Sequence, residues 1–453
     1  MGDLGTDIIV YSPIASARLN YIVKLLFQGR ACITNDIAAF ESFPGKKINY
    51  SSASLSGVDS QVIPHTLLFE KELKEQRITL TNWQGVPVIF ETTGGTIPFD
   101  IFAASFYLIT RYEEWLPHNK DYLDRYNYQQ SIAYQHGFLE QPLVNSWMEK
   151  WVVQNNLPYT KPASSFKPSY DIDIAYSYAY HSVIRNIGGY FKDLLNANFS
   201  GITERVQVLA GTRKDPYDVY DWLDQLHNQY QLDPIYFFLV ASKRDNIHKN
   251  IAPDNEGMIQ LIQRIASKYK VGLHPSVQKA SVSEHFFTSD KLGNLEDNNK
   301  KDGYEKILRN EKMIIEKLSA KRVTQSRQHY IQLRFPDTYQ ALLQAGIKED
   351  YSMGYPTISG FRASYTGAFN WFHLLNNEET SLKIFPFCYM DATQIFHERN
   401  TPEAAKIKMD YYYQQFQQYG GCFMPIFHNQ FLSEQANFGE WGSIYADFCL
   451  RKL

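Results

Sequence analysis

Apolar positions follow two successive rhythms along the chain. Near the start, Asp7–Tyr11 (DIIVY) predicts a buried strand and Ala15–Phe27 an amphipathic helix. Short strands are predicted at Gln61–Phe69 and Val86–Glu91, then a turn at Thr93–Phe99 (TGGTIPF) and the helix-length run IFAASFYLITRYEEWL. The stretch Leu157–Pro168 (LPYTKPASSFKP) concentrates Pro, Ser and Lys and marks a domain boundary. Beyond it strands and helices alternate. Strands are predicted at Pro168–Ile174, Pro234–Val240, Lys270–Leu273, Arg322–Gln325, Asp350–Met353, Lys383–Met390 and Cys422–Phe427. Helices are predicted at Val219–Tyr230, Glu256–Lys268, Tyr304–Lys317, Pro336–Ala345 and Pro402–Tyr419. This βα alternation predicts parallel strands with crossover helices. Seven or so units over about 285 residues suit a distorted or incomplete (β/α) barrel better than a sandwich. The expected fold is therefore α/β: a barrel over residues 167–453 and a smaller α/β domain over residues 1–160.

Composition narrows the function by exclusion. The 453 residues are 44% hydrophobic and 21% charged, with a formal net charge of -3, so no large electrostatic footprint for nucleic acid or anionic membrane is expected. The start lacks a basic region followed by an unbroken apolar stretch, which argues against a secretory signal and for a cytoplasmic location. Gly2 and Thr6 fit a myristoylation pattern only nominally. No run of about 18 apolar residues occurs, so no membrane span is expected. The four cysteines show no CxxC spacing, which argues against a disulfide scaffold or a Cys-rich zinc site. The 32 Tyr and 29 Phe predict an aromatic core, with faces that can also stack on sugar rings. Oligomeric state is left open, as is the N-terminal domain's role: shaping a cleft, oligomerising or binding a partner.

In a barrel of this kind the chemistry lies at the C-terminal ends of the strands. Those ends carry Asp171 and Asp173 (SYDIDIA), His274 (VGLHPS), Arg327 and His329 (QSRQH), Arg362 (GFRAS), Asp391 (MDAT) and His428 (PIFHN). A single strand-end Asp or His ordinarily caps a helix or bonds the backbone. Carboxylates, imidazoles and guanidinium groups converging on one rim suit metal-assisted hydrolysis. Asp171 and Asp173 point to one side of a strand, and their mutual repulsion is relieved when one ligates a divalent cation and the other serves as a base. Carboxylate plus imidazoles suits Zn, Co or Ni, and also Fe or Mn. His428 could donate a proton to a leaving amine.

SYDIDIA resembles the first motif of the NodB-type polysaccharide deacetylases (carbohydrate esterase family 4). The resemblance implies Asp171 as base and Asp173 as metal ligand. VGLHPS resembles the start of that family's metal-binding His motif, giving His274. SAKRVTQSRQH, followed by FPDTYQALLQAGIKEDYS, resembles the Arg-containing motif and places Arg327. FMPIFHN resembles the last motif, implying His428 as acid, with Asp391 orienting or charge-tuning it. Arg362 is a candidate to bind substrate. The whole chain further resembles deacetylase-like proteins of the Bacteroidetes type with an extra N-terminal domain. Two departures matter. The family's second metal His corresponds here to Gln278, and His329 stands where the usual motif has Pro. His248, His285 and His373 are placed by their contexts in a polar loop, an excursion and a helix, which leaves His329 as the replacement ligand. The expected activity is metal-dependent removal of an acetyl group from an N-acetylated or O-acetylated sugar. Two alternatives stand beside it: hydrolysis of a non-sugar amide, and a non-catalytic carbohydrate-binding or assembly protein with a degenerate site.

Overall fold

The computed structural model describes residues 6–277, 293–433 and 438–451; Gly2, Gln278 and His285 lie outside them. The first sheet is parallel. Its order is β2 (Ala31–Thr34), β1 (Ile8–Tyr11), β3 (Lys46–Asn49), β4 (Ser60–Gln61). Ser16 caps helix α1 (Ala17–Leu26) by accepting from Leu19 N, satisfying one of the donors a helix start leaves free. Gln61–Phe69 is not one strand: it contains β4 and a 3-10 turn at Thr66–Phe69. Helix α2 (Ile101–Ile109) is buried along its length and capped by Asp100. The helix expected to run on to Leu116 stops because Arg111 adopts a left-handed φ of 54° before a 3-10 turn at Tyr112–Trp115.

The second sheet has eight strands: β5 (Ser169–Ile172), β6 (Ile235–Phe238), β7 (Lys270–Leu273), β8 (Gln325–Ser326), β9 (Glu349–Asp350), β10 (Phe369–His373), β11 (Glu378–Ile384) and β12 (Ile426–His428), in the order β10-β11-β9-β8-β7-β6-β5-β12. All neighbours are parallel except the β10–β11 hairpin. β6 (IYFF) is wholly buried, as expected of a parallel strand covered on both faces. Between the strands lie α3 (Val183–Leu195), α4 (Phe199–Leu209), α5 (Tyr220–Gln229), α6 (Glu256–Lys268), α7 (Gly293–Ser319), α8 (Asp337–Gln344) and α9 (Pro402–Tyr419), with α10 (Gly439–Leu450) last. The fold is thus mixed α/β.

Among the described residues no ladder joins the two ends of this sheet. The segment after β11 was expected to continue as a strand to Met390, but Pro386 interrupts it and cannot donate to a ladder. Single bonds carry the chain across instead: Phe385 N to Asp350 O (2.8 Å), Phe387 N to Met353 O (3.0 Å) and Ile426 N to Tyr389 O (3.0 Å). One isolated parallel bridge, Met390 with Ile426, then meets β12. His373, expected on a helix, ends β10.

One apolar cluster runs through both parts of the chain, from Leu19, Phe102 and Trp151 to Tyr170, Phe238 and Phe372. The aromatic surplus largely fills it. Across the same boundary Tyr21 Oη donates to Asn370 O (2.7 Å), and Arg111 and Arg362 share Glu114.

Candidate active site

Strand register brings the chemistry together. Asp171 on β5 is the lateral partner of His428 on β12 and of Phe237 on β6. Ile172, Phe238, Leu273 and Ser326 form one row across four strands. Just beyond that row emerge Asp173, His274 and Arg327, held by His274 N to Phe238 O (3.1 Å) and Arg327 N to Leu273 O (3.0 Å). The chain then turns sharply: Tyr330 and Ile331 adopt φ of 54° and 53°. A β-branched residue in that region is strained, which fits a turn held in place to aim His329.

Asp171 is buried and accepts from Arg327 Nη1 at Oδ1 (2.9 Å). Arg327 also donates to Ser169 Oγ (2.9 Å) and Tyr351 O (3.1 Å), and its guanidinium lies 4.4 Å from the Phe237 ring centroid. Every donor group of Arg327 therefore serves to fix Asp171 and the sheet. Asp173 faces three imidazoles: His274 Nε2 at 3.1 Å, His329 Nε2 at 3.6 Å and His428 Nε2 at 3.6 Å. His274 Nδ1 bonds the Arg327 carbonyl (2.6 Å), which makes Nδ1 the donor and Nε2 the nitrogen that faces Asp173. His428 Nδ1 lies 2.6 Å from Asp391 Oδ1, while Asp391 Oδ2 accepts from His428 N (2.6 Å).

Burial would raise the Asp173 carboxyl, but His329 and His274 hold it well below the usual carboxylate range. Burial pushes His329 down and outweighs the pull of Asp173, so its imidazole is neutral at pH 7. His274 is raised, because Asp171 and Asp173 overcome its burial. His428 is raised to about 9: burial opposes the charge, and Asp391 chiefly restores it.

Donor atoms of Asp173, His274 and His329 all lie within 4.8 Å of one another, the one group of metal-ligand type among the described residues. Asp173 Oδ1 and His329 Nδ1 are buried without a hydrogen-bond partner among the described residues. An anionic oxygen with a neutral imidazole beside it suits a divalent cation of the zinc type.

These groups open into a cavity of about 440 Å³ lined by Asp171, Asp173, His274, His329 and His428. Arg327 and Asp391 stand behind the wall, against Asp171 and His428. Arg362 is not brought to the cavity. It is buried, with Nε on Glu114 Oε1 (2.9 Å) and Nη1 on Gly354 O (3.0 Å), so its fork is committed to the junction with the N-terminal part. Several lining residues were not legible in the sequence. Tyr122 and Arg125 come from the N-terminal part, and Arg125 Nη1 donates to Tyr330 O (2.6 Å). Tyr330 and Phe396 join Tyr122 as exposed aromatics around the opening. The stretch DYLDRYN has neither helix nor strand period, so only its Tyr and Arg content could have drawn notice.

Fold and site together describe a mixed α/β protein with a candidate metal centre at strand ends. A family of unknown function (DUF7033) matches residues 8–155. No curated protein matches the chain. Solved structures similar to it include a protein described as a polysaccharide deacetylase from Mycobacterium smegmatis (12% identity, TM-score 0.38, covering 64% of this chain and 88% of that one). Another is Puue allantoinase (10%, 0.36, covering 63% and 83%). A third is a CE4 family pseudoenzyme from Bacillus anthracis (7%, 0.27, covering 65% and 63%). Likenesses this distant say nothing about activity, which rests on the site itself. No helix among the described residues is long and apolar enough to cross a membrane.

Proposed function

We propose that the protein is a metal-dependent hydrolase that removes an acetyl group from an N-acetylated or O-acetylated sugar or glycan. In this reading residues 167–453 form an incomplete (β/α) barrel of NodB type, and the domain over residues 1–160 completes one wall of its pocket. The observation that carries the reading is the Asp173–His274–His329 group flanked by Asp171 and His428 in one cavity.

Asp173, His274 and His329 would hold a divalent cation, zinc or a neighbouring first-row ion, which would supply Lewis acidity to the acetyl carbonyl and lower the pKa of nearby water. Asp171 takes the proton from the attacking water as the C–O bond forms; Arg327 fixes its Oδ1 and leaves Oδ2 for that task. His428 carries its proton at pH 7 and gives it to the leaving nitrogen or oxygen as the bond to the acetyl carbon breaks. Asp391 holds the other side of that ring and keeps Nε2 aimed at the pocket. Tyr122, Tyr330 and Phe396 offer faces on which a sugar ring can stack.

The test is acetate release from N-acetylated and O-acetylated sugar oligomers by zinc-loaded protein, compared with Asp171→Asn. A general base is worth about 10²–10⁴-fold, so the variant should lose about that factor while binding zinc as tightly as the wild type. Turnover retained in Asp171→Asn removes that residue from the base role. A zinc-loaded wild type that binds the oligomers but releases no acetate overturns the enzymatic reading and favours a carbohydrate-binding protein.

A further inference from the structure

Helices α3 and α4 invert the ordinary arrangement of a surface helix. Val183, Ile184, Ile187, Phe191, Leu194 and Leu195 recur at helical spacing on one face of α3, and that face is turned outward. Ile184 is 84% exposed and Leu195 87%. The inward side is the polar one. Asn186 is buried and donates to Tyr178 O (3.2 Å), while Arg205 of α4 donates to Asn186 Oδ1 (3.1 Å) and pairs with Asp193 (2.9 Å). Phe199, Val206 and Leu209 of α4 extend the exposed apolar surface. Single exposed apolar residues are common on soluble proteins; a contiguous patch of this kind marks a contact surface.

The charges around the patch say what the contact is. Both carboxylates of the hairpin are engaged, Asp193 by Arg205 and Glu204 by Arg213 (3.0 Å) and Tyr178 (3.0 Å). Arg185, Lys192, Arg244 and Lys249 have no carboxylate within ion-pair distance among the described residues. Arg185 reaches the Lys249 carbonyl (2.9 Å), and Arg244 is near enough to act on Arg185 electrostatically. The fringe is therefore cationic. A second copy docking face to face would set this fringe against its own like. An apolar helix face bordered by free cations has instead the composition of a helix lying in a membrane interface. α3 follows the strand that bears Asp171 and leads into Asp173, and Lys249 lines the cavity, so the cationic fringe reaches the mouth of the site.

We propose that the α3–α4 hairpin docks the protein on an anionic lipid surface, its apolar face in the headgroup–acyl boundary and Arg185, Lys192, Arg244 and Lys249 against lipid phosphates. The contact is peripheral and reversible. It does not depend on the catalytic reading.

The test is co-sedimentation of the full chain with vesicles of phosphatidylcholine alone and of equal parts phosphatidylcholine and phosphatidylglycerol, at low and high salt. Expected is binding to the anionic vesicles that weakens with salt, and a loss of at least tenfold in the triple variant Ile184→Ser, Phe191→Ser, Leu195→Ser. Ile407→Ser, an exposed apolar position on α9, should bind as the wild type does. If the triple variant fails to fold, Arg185→Gln with Lys192→Gln tests the cationic fringe and should lose binding to the anionic vesicles. Equal binding by a folded wild type and either hairpin variant overturns the proposal. So does a wild type that binds neither vesicle, whether it sediments as a monomer or as a dimer that the triple variant dissociates; the dimer would assign the patch to a second copy.

Discussion

Replacing Asp391 with Asn tests how the proton on His428 is held. Both carboxylate oxygens of Asp391 are spent on His428, one on the ring and one on the backbone N–H. Burial opposes a charge on the imidazole, yet Asp391, with Asp173 and Asp171 adding to it, raises the pKa from 6.5 to about 9. The rise of about 2.5 units (9 − 6.5) is worth about 3 kcal/mol at 1.36 kcal/mol per unit. Asn keeps an oxygen for the Nδ1–H but removes the charge, so the His428 midpoint should fall by at least about one unit. The folded value lies above the unfolded one, so this pair stabilises the fold fully below about pH 6.5. That stabilisation is lost as pH rises through about 9, and in the variant the loss begins at lower pH. Histidine NMR titration of metal-free protein, with His428→Gln to assign the resonance, measures both midpoints. Urea unfolding at pH 6 and pH 9.5 measures the linked stability. A wild-type midpoint at or below 6.5, or an unchanged midpoint in Asp391→Asn, refutes the charge-pair reasoning.

His329→Ala should weaken zinc binding by more than the 10–100-fold typical of changes behind the ligands; calorimetric titration showing equal affinities removes His329 from the ligand set. Glu114→Ala leaves Arg111 and Arg362 buried without their shared carboxylate, a loss of about 3–5 kcal/mol. Urea unfolding should show it, and a change below about 1 kcal/mol would mean the two guanidinium groups find other partners or water.

The C-terminal part was legible where local pattern and tertiary role agree. Glu256–Lys268 and Pro402–Tyr419 match their predicted bounds because each has a side-chain N-cap, Asn255 and Thr401, and a regular apolar stripe. Pattern failed where tertiary contacts override it. The run from Ile101 to Leu116 has helical composition throughout, but Arg111 must leave the helix to meet Glu113, Glu114 and Tyr355. Phe369–His373 lies in a strand because it pairs antiparallel with Glu378–Ile384, a contact that single-segment periodicity does not carry. The segment around α3 has a clear apolar stripe, yet nothing in the sequence tells that the stripe faces out.

The residues of the candidate site could be grouped without coordinates because parallel register puts equivalent strand ends in one row, which brings Asp171, Asp173, His274 and His428 together. Arg362 shows the limit of that rule: GFRAS is no strand end, and its guanidinium was required elsewhere. The decisive difference is one of charge. Asp171 is tied to Arg327, Asp391 to His428, and Glu114 to Arg111 and Arg362. Buried carboxyls with no ion-pair partner among the described residues are pushed toward neutrality, Asp350 to about 7 and Asp100 to about 6, in each case chiefly by burial. Asp173 fits neither group. It has no Lys or Arg within ion-pair distance among the described residues, yet imidazoles alone hold it far below the usual range. A carboxylate kept ionised by imidazoles, two of them candidate ligands, keeps its charge without a Lys or Arg partner among the described residues. That charge is what a divalent ion would meet, and it makes Asp173, rather than any of the other buried acids, the centre of the site.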